Sequence, residues 1–504
     1  MSRREEIRKD SKSIYNRLRS IQHDANFVQY VVQRVPSLPV VPNERAGTWY
    51  TDPALWPHGI STYFKSTDGH HGQWDFNLRR LNYHFLDLVA KQGGCILVDA
   101  TRKGKRFPDS LAKTVPLWCS VINYALALLR DKSTHTDVSE KEGLNHTVNQ
   151  TRLLKVDLHC PSSVSLSEQA RMRDLVEGFA NKLLASCIDL TEIAGLLEKP
   201  LRPIWVTPVT RMFMGCDSGG QLWDDVHADL SFTPILCISA SMDPLHMDMD
   251  DIPVLHLESN FSYIQGAADD SEMWAPGLTS SLFWAHLHSF HLSDTTPQQC
   301  EQDVRLILDQ HQSGEYQGVV RPSNSAGAHF FDWIGDTGIA VGSFHAAEPP
   351  MCWDHFDVII NCGAREFTAN NAYTDATKGR RYLYLDIPEG KKGQNKLFEC
   401  IPKALKYIEG DIMCPGRRIL IHCTQGKDRS VGICLALLLE YTNVNPELTP
   451  NGHSIRGKLC KESIRDRLLF IQRFRKVASP SRATLKKVNL YFLGADIGID
   501  DSLV

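Results

Sequence analysis

The 504-residue chain contains no CxxC pair and no cysteine–histidine spacing of the zinc-module type. That excludes the common structural zinc folds. No apolar run reaches the roughly 18 residues that a membrane span needs. The opening MSRREEIRKDSKSIYNRLRSI carries no apolar stretch of the kind a secretory signal uses. No internal repeat occurs at solenoid period, which excludes repeat architectures. Excess positive charge is missing too: 55 Lys and Arg stand against 59 Asp and Glu, a net charge of -4. The overall field therefore does not advertise a nucleic-acid binder, and any such surface must be a local patch. The fourteen cysteines are scattered, and several (Cys95, Cys237, Cys434) sit inside apolar runs. They read as reduced thiols, not as a disulfide framework.

What is present is ordinary for a globular chain: 42% hydrophobic and 23% charged residues. The length exceeds what one core supports, so two domains or more are expected. A polar stretch at 131–151 reads as a surface insertion within a domain. A second, at 312–328, carries Pro, Gly and Ser and separates two strand-and-helix patterns. The expected domains are therefore 1–325 and 326–504. In the first, CILVDA (95–100), RPIWVTP (202–208) and PILCISAS (234–241) read as buried strands, with helices through about residue 35, at 113–129 and at 165–188. In the second, strands are expected at 338–344, 357–363, 381–387 and 417–423, and helices at 401–409, 430–443, 463–475 and 484–493. This alternation predicts α/β sheets covered on both faces.

HCTQGKDRS (422–430) lies between the apolar strand RRILI and the apolar helix VGICLALLLEY. A strand would deliver Cys423 to the carboxyl edge of its sheet, where α/β ligand sites lie. The amides of Thr424, Gln425, Gly426, Lys427 and Asp428 can curl around an anion, and Gly426 allows close backbone approach. The helix starting near Ser430 aims its partial positive charge at the same spot, and Arg429 adds a bidentate fork. Chance placement of Cys, Gly, Arg and Ser at this spacing, with strand before and helix after, is a poor alternative.

From Ile339 onwards, IAVGSFHAAEP, FDVIINCG and HCTQGKDRS resemble the dual-specificity phosphatase fold. The N-terminal domain is then a candidate diverged relative of the C-terminal α/β sandwich. Those phosphatases need an aspartic acid after the preceding strand to protonate the leaving oxygen. Here the stretch reads LDIPEGKKGQNKLFE, with Lys391 or Lys392 at that place. The grip is kept and the acid is missing.

Three N-terminal stretches concentrate similar chemistry. YFKSTDGHHGQWDFNLRRLN (63–82) gathers Lys65, Ser66, Thr67 and Asp68. VDATRKGKRFPDSLAKTVPLW (98–118) places Arg102, Lys103, Lys105 and Arg106 between strand and helix, with Asp99 where Cys423 stands in the other loop. YIQGAADDSEMWAPGLTSSLFW (263–284) sets Asp269 and Asp270 after a glycine turn. A solvated face would explain any one of these. A carboxylate pair beside a cationic cradle also suits Mg²⁺ carried on a diphosphate. A helix-start capping role is the competing reading for Asp99.

These stretches, together with FRKVASPSRATLKKVN (474–489), resemble the initiator-tRNA 2′-O-ribosyl phosphate transferase family of fungi and plants, over residues 15 to 493. The resemblance implies transfer of a ribosyl phosphate from 5-phosphoribosyl 1-diphosphate to the 2′-hydroxyl at position 64 of cytoplasmic initiator methionine tRNA. The reduced thiols point to the cytosol, with the nucleus left open, and the lack of a membrane-length apolar run points to no membrane partner. The donor has two anionic ends and the sequence offers two cradles; which takes which end stays open. Asp68, Asp99, Asp269 and Asp270 are then candidates for metal holding or proton transfer. Lys378, Arg380, Arg381, Lys391, Lys392 and Arg482, with Arg465, Arg467, Arg473, Arg475, Lys476, Lys486 and Lys487, are candidates for RNA phosphates. A cysteine phosphatase and a non-catalytic phosphate- or RNA-binding module are the competing functions.

Overall fold

The computed structural model describes residues 12–56, 60–66, 72–102, 104–138, 157–186, 188–210, 230–242, 261–313, 330–366, 379–388, 393–411, 416–442 and 459–494. The chain divides into two compact units. One comprises Met1–Phe76, Phe85–Lys182 and Leu190–Ser325; the other comprises Asn77–His84, Leu183–Asp189 and Ala326–Val504. Two short pieces of the N-terminal half thus belong to the second unit.

The first unit is built on β1 (Val40–Pro42), β2 (Cys95–Asp99), β3 (Leu201–Val206) and β4 (Thr233–Ser239), all parallel, in the order β1-β2-β4-β3. β2 and β4 are buried along their whole length, as the near-continuous apolar runs of a parallel sheet covered on both faces require. β1 was not foreseen; VVP is short and ends in proline, so it carries little strand signal. The long helices are α1 (Ile14–Arg34), α2 (Tyr83–Gln92), α3 (Val115–Val138), α4 (Leu166–Leu184) and α5 (Pro297–Ser313). Ile96, Val98, Leu236 and Ile238 join Leu18, Ile21, Val28 and Val31 of α1 in one core. The alternate residues Cys95 and Cys237 face Cys119 of α3 on the other side.

α3 is entered through a wide turn, Ser110–Thr114, with π-helical bonding. Its far end, residues 131–138, is helical where a surface excursion was expected; residues 139–151 lie outside the described set. The stretch Ser110–Asp131 is long and apolar enough to cross a membrane by length and composition, contrary to the expectation that no stretch would be. Its apolar residues, among them Leu117, Val121, Ile122 and Ala125, are buried in the core.

The second unit holds β5 (Phe331–Trp333), β6 (Ile339–Gly342), β7 (Val358–Asn361), β8 (Arg381–Tyr384) and β9 (Ile419–His422) in the order β5-β6-β9-β7-β8. Only the β5–β6 pair is antiparallel. Helices α6 (Gly393–Ile408), α7 (Arg429–Tyr441), α8 (Lys461–Phe474) and α9 (Arg482–Leu493) pack together on one face. A smaller core around Ala340, Ile359, Leu420 and Phe356 covers the other. This is the α/β sandwich expected of the C-terminal half. The two sheets differ in strand order, so topology gives no support to the N-terminal unit as a diverged copy.

Candidate functional site

Two strand–loop–helix junctions hold most of the described candidate site residues, one in each unit. In the second unit, β9 ends at His422 and α7 begins at Arg429. Between them the chain curls back: Gly426, at φ +69°, donates its N–H to Cys423 Sγ at 3.3 Å. A Cβ at position 426 would stand 2.5 Å from the Gly342 carbonyl oxygen, so only glycine fits. Cys423 is buried, with its sulfur 3.2 Å from Ser430 Oγ. Arg429 is buried as well; Nη1 donates to the Ile387 carbonyl at 2.7 Å and Nη2 to Thr424 Oγ1 at 3.0 Å. Asp428 Oδ1 accepts from the Ser481 N–H at 2.8 Å, so this acid anchors the loop to the segment before α9. Thr424 and Gln425 are exposed at the lip. His422 lies beneath, with burial pulling its imidazole down to a pKa of about 3.

In the first unit, the loop after β2 is pinned by a buried carboxylate. Asp99 Oδ2 accepts from Asn43 Nδ2 at 2.8 Å, from Arg45 Nε at 3.3 Å and from Ser110 Oγ at 2.5 Å. Asp99 Oδ1 accepts from the Ala100 N–H at 2.8 Å. Arg45 also donates to the Ala100 carbonyl. A fully buried carboxylate with four donors is a positioning group. Its expected candidacy for proton transfer or metal holding is corrected on that ground: its lone pairs are already spent on the loop and the start of the helix.

Beyond Ala100 the cationic loop meets the acidic one. Arg102 Nη1 lies 2.6 Å from Asp269 Oδ2 and 3.0 Å from Asp270 Oδ2. Gln265 clasps the same loop with both ends of its amide: Oε1 accepts from the Gly104 N–H at 2.7 Å and Nε2 donates to the Lys105 carbonyl at 3.0 Å. Gly266, at φ +65°, leaves no room for a Cβ, which would lie 2.5 Å from the Thr101 carbonyl. Lys105 pairs with Asp109 at 3.4 Å, and Arg106 lies over the Phe107 ring. Lys65 is exposed, and its carbonyl accepts from Thr114 Oγ1 at 2.8 Å. Ser66 is half-buried beside it.

The acidic loop is held on the α1 side. Arg17 Nη1 donates to the Ala267 carbonyl at 2.7 Å, the Ile264 N–H to Ser20 Oγ at 2.9 Å, and Tyr263 Oη to Asp24 Oδ1 at 2.8 Å. Burial pushes the Asp24 carboxyl above its usual range. The chain leaving β2 runs into α3 on one face, while Ala240 and residues 263–267 pack on the α1 face. The two loops meet at the carboxyl edge of the sheet, the edge where ligands bind in open α/β sheets. Arg102, Lys105, Gln265, Asp269 and Asp270 gather at that edge. Sequence reasoning missed Asn43, Arg45 and Gln265; the last sits inside the quoted YIQGAADD, beside a glycine whose close approach was the available signal.

Thr67, Asp68, Lys103, Lys378, Lys391 and Lys392 lie outside the described residues. Among the cations assigned to RNA, Arg381 is corrected: it pairs with Asp411, donates to the Tyr407 carbonyl at 2.8 Å and lies over the Tyr407 ring. Arg467 and Arg475 are buried. Arg380 lies over the Trp353 ring, and Arg482 is exposed at the first turn of α9. Among the described residues, no cluster of three or more His, Cys, Asp or Glu is arranged to hold a metal. The Asp269–Asp270 pair, with side chains 26% and 50% exposed, fits the smaller demand of Mg²⁺ arriving on a diphosphate.

A family model described as the Rit1 N-terminal domain matches residues 7–309, and one described as the Rit1 DUSP-like domain matches residues 381–492. The chain is 31% identical over 491 residues to an uncharacterized protein of Schizosaccharomyces pombe, covering 95% of this chain and 94% of that one. It is 30% identical over 515 residues to the tRNA A64-2′-O-ribosylphosphate transferase of Saccharomyces cerevisiae, covering 97% of this chain and 94% of that one. Among solved structures, the Yvh1 phosphatase domain from Chaetomium thermophilum matches 32% of this chain and 94% of its own, at 21% identity and a TM-score of 0.25.

Proposed function

The chain belongs to the Rit1 family of tRNA ribosylphosphate transferases, and from that membership we propose that it transfers a ribosyl phosphate to the 2′-hydroxyl of nucleotide 64 of cytoplasmic initiator methionine tRNA. The donor is 5-phosphoribosyl 1-diphosphate. The observation that carries the reading is the cluster at the carboxyl edge beside β2, where Arg102 meets Asp269 and Asp270 across a glycine-tight contact in a chain kin to a transferase along nearly its whole length.

In this reading the bond from the anomeric carbon to the diphosphate breaks, and the electron pair leaves with the diphosphate. The 2′-oxygen of the tRNA then forms the new glycosidic bond, and its proton passes to the departing diphosphate or to water. Arg102 and Lys105 neutralise charge gathering on the leaving group, which is the main lever available to such a site. Asp269 and Asp270 would hold Mg²⁺, which supplies further neutralisation of the diphosphate. Loop 423–430 is a separate phosphate grip, for a phosphate of the donor or of the tRNA. It needs no acid in that role, which agrees with lysine at 391 and 392. The exposed Arg482 is a contact for tRNA phosphate.

The test is incubation of the purified protein with donor, Mg²⁺ and unmodified initiator tRNA, followed by mass spectrometry. A gain of one phosphoribosyl group at nucleotide 64 is expected. No gain overturns the transferase reading, and equal gain on elongator methionine tRNA overturns the assignment to initiator tRNA alone. A gain that persists in Cys423→Ser speaks against covalent chemistry at that sulfur.

A further inference from the structure

The segment between α8 and α9, read from sequence as part of an RNA surface, runs along the outside of the signature loop. Arg475, 4% exposed, donates from Nε to the Gly426 carbonyl at 3.0 Å and from Nη2 to the Gln425 carbonyl at 3.4 Å. Its Nη1 is held by Asp332 Oδ2 of β5 at 2.7 Å. The Ser479 N–H donates to the Lys427 carbonyl at 2.9 Å, and the Phe344 N–H donates to the Thr424 carbonyl at 3.2 Å. Four successive carbonyls, 424 to 427, thus have donors on the outside of the loop.

In a planar trans peptide the C=O of one residue and the N–H of the next point in opposite directions. Turning carbonyls 424–427 outwards therefore turns the amides of 425–428 inwards. The Gly426 N–H, bonded to Cys423 Sγ, shows that orientation directly. Inward amides are what an anion-binding concavity consists of. One side chain supplies two of the four outward anchors.

We infer that Arg475 is a positioning residue of the phosphate site: its guanidinium, fixed by Asp332, preforms the cradle from behind without touching the ligand. The inference rests on the reading of loop 423–430 as a phosphate site and names what builds it. Lysine cannot substitute, because a single ammonium lacks the planar fork that spans two carbonyls and a carboxylate.

The test uses the full chain with labelled backbone nitrogen, reading the Gly426 amide resonance while inorganic phosphate is titrated. Arg475→Lys and Arg475→Gln are expected to weaken the phosphate affinity read at Gly426 by about tenfold. They are also expected to shift the Gly426 resonance before any phosphate is added, and to raise KM for the substrate whose phosphate the loop holds more than they lower kcat. Wild-type phosphate affinity at Gly426 in folded Arg475→Lys overturns the inference. Should both variants fail to fold, Asp332→Asn carries the test: a loss of about threefold is expected from a loosened guanidinium, and unchanged affinity overturns it. A wild-type Gly426 resonance that ignores phosphate overturns the cradle reading, and the inference with it.

Discussion

Arg102 and Asp269 meet at 2.6 Å although 166 residues separate them in sequence. The contact joins the loop after β2 to the loop that follows β4, and Asp270 completes it from the other side. Because Arg102 and both acids are partly exposed, the pair adds little to stability by itself. Its significance lies in placing a cation and two carboxylates at one mouth of the sheet.

Arg102→Ala should therefore leave the thermal unfolding midpoint close to wild type and raise KM for the sugar donor by roughly tenfold. Steady-state kinetics at saturating tRNA measure it. A collapse in stability with unchanged KM would show that the contact is architectural.

Asp99→Asn should behave in the opposite way. It leaves Arg45 without its charge partner and disturbs a buried network, a change of about 3 kcal/mol. A large fall in unfolding midpoint is expected, with activity per folded molecule reduced far less. Chemical denaturation combined with active-site titration separates the two.

In the signature loop, Arg429→Ala should weaken phosphate binding by about 10- to 100-fold, as loss of a charge-assisted fork implies. Cys423→Ser should keep transfer within about threefold of wild type if the sulfur only lines the cradle. Isothermal titration and tRNA mass spectrometry, run on the same preparations, decide.

Acid sensitivity should trace in part to His422, whose folded-state pKa is held down by burial at about 3. Below the ordinary histidine value the unfolded chain takes up a proton that the folded chain refuses. Stability is therefore intact above about pH 6.5 and declines as pH falls towards 3, by about 2 kcal/mol at pH 5. Urea midpoints at pH 7 and pH 5 measure this, and His422→Gln should shrink the difference between them.

The signature loop was legible in sequence because everything it needs lies within nine consecutive residues, strand before and helix after. The parallel sheets were legible for a similar reason: runs such as CILVD and TPILCIS are continuous and bounded. The pairing of Arg102 with Asp269 was not, since each half is a short polar stretch and the fold alone brings them together. Arg381 and Arg475 misled because a charged side chain in an amphipathic stretch looks alike whether it faces water or, as here, reaches Asp411 or the back of a loop. Asp99 showed its strand-end position in sequence, but the donors that occupy it, Asn43 and Arg45, come from a segment whose strand was too short to notice.

The wide turn at Ser110–Thr114 sets the phase of α3. One additional residue in a turn rotates all that follows by about 100°. With it, Ser110 reaches back to Asp99 while Val121, Ile122 and Ala125 still fall on the buried stripe. Deleting a single residue there would force a choice between the two. Either the helix keeps its grip on the carboxyl edge and turns its apolar side outwards, or it keeps its core and lets the edge go slack.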